Sequence, residues 1–219
     1  MTLRHLLFSF LLSFGISVCL GQTSSIEKSA RSLIVDDYPF TEAELKDGYQ
    51  PLKTNDCISY DNAWFYNDSL EQVILVNLYT DFHKMGIYHF STQDIPPALL
   101  SQLPLHQPNG EWASEQTKQD NLPQMIQQGQ ALPASFFTSN NGFRIGTHQM
   151  EAIHQYGSPH QQSKLGEFEL LVWTYQGDFM APYTEVHTYP MAQNSFGHQV
   201  HMFFKEELLV GMILINDAP

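Results

Sequence analysis

Trp64-Phe65-Tyr66-Asn67-Asp68-Ser69-Leu70-Glu71-Gln72-Val73-Ile74-Leu75-Val76-Asn77-Leu78-Tyr79 decides the fold class. Aromatic and β-branched residues crowd both ends of it, and the polar Asn67-Asp68-Ser69 interrupts them where a hairpin would turn. Working back, Ile58, Tyr60, Trp64 and Tyr66 recur at even spacing, the period of a strand. Forward of it, a short polar stretch, Asp81 to Lys84, precedes a third strand-like run, Met85 to Ser91. Three consecutive strands with short connections are a β-meander.

The meander is flanked by helical signals. Upstream, Thr41-Glu42-Ala43-Glu44-Leu45-Lys46 reads as a short helix capped by Thr41 and stopped at Gly48. Downstream, Asp94-Ile95-Pro96-Pro97 opens another over Ala98 to Leu103. From His106 to Gln130 polar residues dominate, with only Trp112, Leu122, Met125 and Ile126 able to pack, so residues 106–135 read as a polar linker holding one short helix, Leu122 to Gln128. The pattern then restarts. A helix over Thr147 to Tyr156, with Met150, Ile153 and Tyr156 as its buried stripe, stops at Gly157-Ser158-Pro159. Strands follow at Phe168 to Tyr175, Tyr183 to Tyr189, His198 to Phe204 and Leu208 to Ile215, the last apolar on both faces and therefore central or covered. The expected fold is α+β: two helix-plus-antiparallel-meander modules in tandem, residues 22–105 and 136–219, packed as one compact unit.

Residues 1–21 have the parts of a cleaved secretory signal: Arg4 as the charged head, an apolar run from Leu6, and small residues before the cut after Gly21. Leu6 to Val18 supplies about 13 residues, against the ~20 needed to span a bilayer. A lipidated Cys19 is a second reading, which Val18 disfavours. Beyond residue 21 only Cys57 remains, so the exported chain forms no internal disulfide. A domain of about 200 residues buries enough surface to do without one, and a bacterial periplasmic or extracellular location follows as the expectation. The formal charge of -13 argues against nucleic acid or anionic lipid as a partner.

Residues 143–215 also carry a family resemblance. Ile145-Gly146, the helix ending Tyr156-Gly157-Ser158-Pro159, the strand ending Trp173-Thr174-Tyr175, and the hairpin Met202-Phe203-Phe204-Lys205-Glu206-Glu207-Leu208-Leu209 resemble the small envelope module of the SmpA/OmlA type. The layout is also similar to that of β-lactamase-inhibitor proteins. Lys205-Glu206-Glu207 departs from the acidic-glycine turn of those modules, and a strand near Tyr183 is additional. The resemblance implies a non-catalytic module that binds other envelope proteins.

Ten histidines invite a metal site. His198 and His201, three apart on a strand, point to opposite faces. His148, Glu151 and His154 fall on one stripe of a helix, opposite Met150, Ile153 and Tyr156; a solvated helix face is the preferred explanation, and a surface cation site is the alternative. Asp81-Phe82-His83 sets a carboxylate beside an imidazole, with Cys57 as a candidate nucleophile, and Asp36, Asp37, Glu42, Glu44, Glu167 and Glu169 offer carboxylate pairs; these support a secreted hydrolase as the alternative. No phosphate-binding loop, dinucleotide fingerprint or serine elbow occurs, and no cofactor is implied. Asn67-Asp68-Ser69 matches a glycosylation acceptor. The leading expectation is a non-catalytic exported domain that binds another envelope protein or a small ligand through an aromatic sheet face made by Trp64, Tyr66, Tyr88, Trp173, Tyr175 and Tyr183.

Overall fold

A computed structural model describes residue 38 and residues 48–60, 62–79, 84–177, 191–192 and 196–217. The signal segment, the helix expected over Thr41 to Lys46 and the strand expected over Tyr183 to Tyr189 lie outside these residues. The architecture is α+β and is dominated by one nine-stranded sheet. Its strands are β3 (Asn62–Asn67), β4 (Gln72–Tyr79), β5 (Lys84–Ser91), β6 (Gln130–Ala131), β7 (Gln161–Leu165), β8 (Phe168–Gly177), β9 (Met191–Ala192), β10 (Gly197–Lys205) and β11 (Leu208–Asp217). The order is β6-β3-β4-β5-β11-β10-β8-β7, with β9 pairing β8. Among the described residues only the two-residue strands β6 and β9 run parallel to their neighbours. The first meander and the last strands therefore share one sheet, joined where β5 pairs β11. β1 (Leu52–Lys53) and β2 (Ile58–Ser59) form a separate small sheet.

The central strands show why this order is stable. Val73, Ile74, Leu75 and Val76 of β4 are all fully buried, as are Leu209 and Ile213 of β11, so both sheet faces are covered there. Near-continuous apolar runs are what such strands require. On one face Phe65, Ile74, Leu171, Trp173, Met202 and Met212 pack beneath Phe137, Phe143 and α3 (Gln149–Tyr156). On the other, Trp64, Leu75, Tyr88, Phe90, Phe203 and Ile213 pack beneath α1 (Pro97–Gln102) and α2 (Glu115–Gln128). Gly211 lets α1 sit this close, because a Cβ there would lie 2.6 Å from Leu99 Cδ1.

Several local expectations change. The segment read as a polar linker contains the fourteen-residue α2, which starts at the Ser114 cap and buries Lys118, Leu122 and Met125. Pro123 lies inside it, and the helix continues past it because its other side packs on the sheet. The run from Ile58 to Tyr66 is two strands in two sheets, not one. In α3, His148 is the N-cap rather than a helical residue, and Met150 is 60% exposed; Ala152 is buried in its place, with Ile153 and Tyr156 partly so. β7 is fully exposed and polar, and no hydrophobic period announced it.

Candidate functional site

The aromatic residues expected to share one sheet face do not do so. Trp64 and Tyr88 are buried in the layer beneath α1 and α2, where Tyr66 packs against them, whereas Trp173 is buried beneath α3, with Tyr175 beside it. The alternation of side chains across the sheet separates the two sets. Trp64 Nε1 donates to Ser59 Oγ (2.8 Å) and Trp173 Nε1 to the Gly157 carbonyl (3.0 Å), as buried indoles require. Tyr183 lies outside the described residues.

The chemistry-bearing groups are similarly dispersed. Asp81 and His83 lie outside the described residues, and Cys57 is fully buried with its thiol 3.9 Å from the Thr117 carbonyl. Burial pushes the Cys57 pKa up and the Asp56 charge adds to this, against a smaller opposing pull from Lys118, so the thiolate is disfavoured. His148 uses both ring nitrogens locally: Nδ1 accepts from the Met150 amide (3.2 Å) and Nε2 lies 3.0 Å from Glu207. Glu151 and His154 are exposed on α3, and among the described residues no three His, Cys, Asp or Glu side chains are placed to hold an ion together. Glu167 pairs with Lys205, and Glu169 accepts from Gln149 and Gln162. Asn67 donates its amide to the Leu132 carbonyl (2.8 Å), which engages the nitrogen a glycan would need. His198 and His201 do point to opposite faces: His198 pairs with Tyr175 across the sheet and His201 with Val172.

What the fold does assemble is an aromatic surface on the small sheet. Ile58 bridges to His106, and His106 in turn to Trp112 across a tight hairpin, so these side chains stand in one row. Tyr60, two residues beyond Ile58, joins them. The His106 ring lies 5.6 Å from that of Tyr60 and 4.4 Å from that of Trp112. Trp112 is 56% exposed and Tyr60 41%. The opposite side of the same strands is core: Cys57, Leu105 and Ala113 are buried.

Behind this surface is Lys118, 2% exposed, with Nζ 5.5 Å from the centre of the Trp112 ring and donating to the Ser101 carbonyl (2.6 Å). That carbonyl lies in the last turn of α1, where a cation is favoured. Burial lowers the Lys118 pKa, and it also lowers that of His106, with Lys118 adding to the second effect. His106 Nδ1 is buried without a hydrogen-bond partner among the described residues. A cavity of about 270 Å³ adjoins the surface, lined by Asp56, Gln107, Pro108, Thr117, Asp120 and Asn121. Gln107 connects the two, because its Nε2 also donates to the Trp112 carbonyl (3.4 Å). One signal of this site was visible in the sequence, a tryptophan in an otherwise polar stretch; Tyr60 and His106 carried none.

Comparison with protein-family models, with curated proteins and with solved structures finds no match to this chain. Among the described residues no helix is long and apolar enough to cross a membrane.

Proposed function

We propose that this chain is an exported, non-catalytic binding domain of the bacterial envelope that takes its ligand on the Tyr60-His106-Trp112 surface. One observation carries the reading: of three tryptophans, Trp64 and Trp173 are fully enclosed while Trp112 is 56% exposed and packed at a tilt against a histidine ring. Exposing an indole forgoes burial worth about 2 kcal/mol, and an exposed aromatic surface held in place by neighbouring rings is what ligand recognition uses. The signal-like residues 1–21 support export. The resemblance of residues 143–215 to the SmpA/OmlA type supports the binding role and the reading of that half as one helix-and-meander module.

Export is tested by expressing the full chain in a bacterium and sequencing the amino terminus of the envelope fraction. A chain beginning at Gln22 is expected, and an intact Met1 chain confined to the cytoplasm would overturn this part. Binding is tested through Trp112 itself. A ligand seated on the surface shields its fluorescence from acrylamide, and Trp112→Phe removes that response while leaving Trp64 and Trp173 unchanged. If no probe among glycans, peptides and amphiphiles shields it, the surface is not a binding site.

A further inference from the structure

Resting on that reading, we propose that the ligand of the Tyr60-His106-Trp112 surface is a neutral glycan, recognised by stacking of sugar C–H faces on the aromatic rings and by hydrogen bonds from its hydroxyls to the adjoining polar cavity. Three features of the site select this class.

The first is charge. Lys118 Nζ, buried 5.5 Å from the Trp112 ring centre, already engages the electron-rich indole, so a cationic ligand over the outer face would meet a positive charge behind it. Anions are disfavoured, because Asp56 and Asp120 line the adjoining cavity and the chain carries a formal charge of -13. A neutral ligand escapes both penalties.

The second is the donor and acceptor set. The cavity lining combines two carboxylates, Asp56 and Asp120, with the amides of Gln107 and Asn121 and the hydroxyl of Thr117. Carboxylates only accept, whereas the amides do both. Asn121 is held in place by Thr54 Oγ1, which donates to its Oδ1 (2.6 Å), and by its own Nδ2, which donates to the Thr117 carbonyl (2.8 Å). A ligand rich in hydroxyls donates to the carboxylates through charge-assisted bonds and accepts from Gln107. An apolar ligand would strip water from the Asp56 and Asp120 carboxylates without replacing its hydrogen bonds, which costs affinity.

The third is shape. At about 270 Å³ the cavity is smaller than the pockets that enclose drug-sized molecules, and it suits one sugar ring. The exposed rings of Trp112 and Tyr60 lie beside it. The structure thus fits an oligosaccharide with one ring in the cavity and its neighbours on the aromatics.

The test titrates the chain from Gln22 with cellohexaose, maltoheptaose and chitohexaose, with polygalacturonate and a chitosan oligomer as charged counterparts, and with a mixed peptide pool. Calorimetry and acrylamide shielding are the readouts. At least one neutral oligosaccharide is expected to bind, more tightly as the chain lengthens, and to lose about tenfold or more in affinity in Trp112→Ala and in Tyr60→Ala. Asp120→Asn should weaken it further while circular dichroism stays unchanged. Tyr60→Ala keeps the test decisive if Trp112→Ala uncovers Lys118 and unfolds. Trp112-dependent binding of only the charged or peptide probes would overturn the glycan assignment and leave the binding surface standing. If no probe binds in a Trp112-dependent way, both fail.

Discussion

Acid should destabilise this protein through one core histidine. His89 is fully buried on the sheet face that packs against α3, with Nδ1 2.9 Å from Tyr38 Oη and Nε2 2.9 Å from Gln72 Oε1. Because the Gln72 oxygen only accepts, Nε2 carries the proton and Nδ1 accepts from the tyrosine hydroxyl. The neutral ring is fully satisfied, and burial lowers its pKa from 6.5 to about 3. The folded pKa lies below the unfolded one, so the unfolded chain binds the proton first. Stability is whole above pH 6.5 and falls as pH drops towards 3, by about 1.4 kcal/mol per pH unit. Between pH 7.5 and 4.5 the loss from this residue is about 2.7 kcal/mol, a large part of a typical domain's stability of about 5–15 kcal/mol. Urea unfolding of wild type and His89→Gln at both pH values measures it. Carboxylates and the remaining histidines titrate equally in both proteins and cancel. The variant is expected to be less stable at pH 7.5 but to lose about 2–3 kcal/mol less on acidification. Equal losses in the two proteins would show that His89 does not control the acid limb.

Lys118→Ala should cost about 2–3 kcal/mol in the same assay, because it removes a buried stem and strips the Ser101 carbonyl of its donor; a loss under about 0.5 kcal/mol would refute the role of Lys118 in joining α2 to α1. Glu206 and Glu207 turn the β10–β11 hairpin at φ 50° and 65°, a backbone that glutamate resists. Glu206→Asn with Glu207→Gly should therefore raise stability by about 1–2 kcal/mol, read as a higher Tm, since the exposed Glu207 pair with His148 offsets little of it. Cys57 should resist iodoacetamide in the folded protein and react fully in urea, followed by mass; rapid labelling of the native chain would contradict its burial.

The large sheet was legible where burial is two-sided. Val73 to Val76 and the apolar run of the final strand can sit only in covered positions, and β4 and β11 occupy them. β7 was not legible, because Gln161-Gln162-Ser163-Lys164-Leu165 buries nothing and is held by its ladder to β8 across the turn at Gly166. α2 was missed in part for a related reason. Its buried face includes a lysine, and Pro123 resembles a stop, so no clean apolar period marks its first half. The aromatic reading failed at the level of register. Trp64 and Trp173 both belong to strands, but whether two strand residues share a face depends on pairing that composition does not specify. The Tyr60-His106-Trp112 row depends on the bridge between Ile58 and His106, which joins segments far apart in the chain, together with the local His106–Trp112 hairpin.

Among the described residues, the central strands of the large sheet are covered on both faces, and this directs attention to the periphery. The small sheet serves there because each strand has two sides. Cys57, Leu105 and Ala113 anchor one side in the core, and the other side presents Tyr60, His106 and Trp112 to solvent. The backbone that holds the surface in place is thus fixed by contacts that the exposed rings do not make. His89 lies across the large sheet from that anchor, so substitutions at the two places share no partner and their effects should add. Loss of Tyr60 should accordingly remove binding without moving the acid limb, and loss of His89 should move the acid limb without altering affinity at pH 7.5.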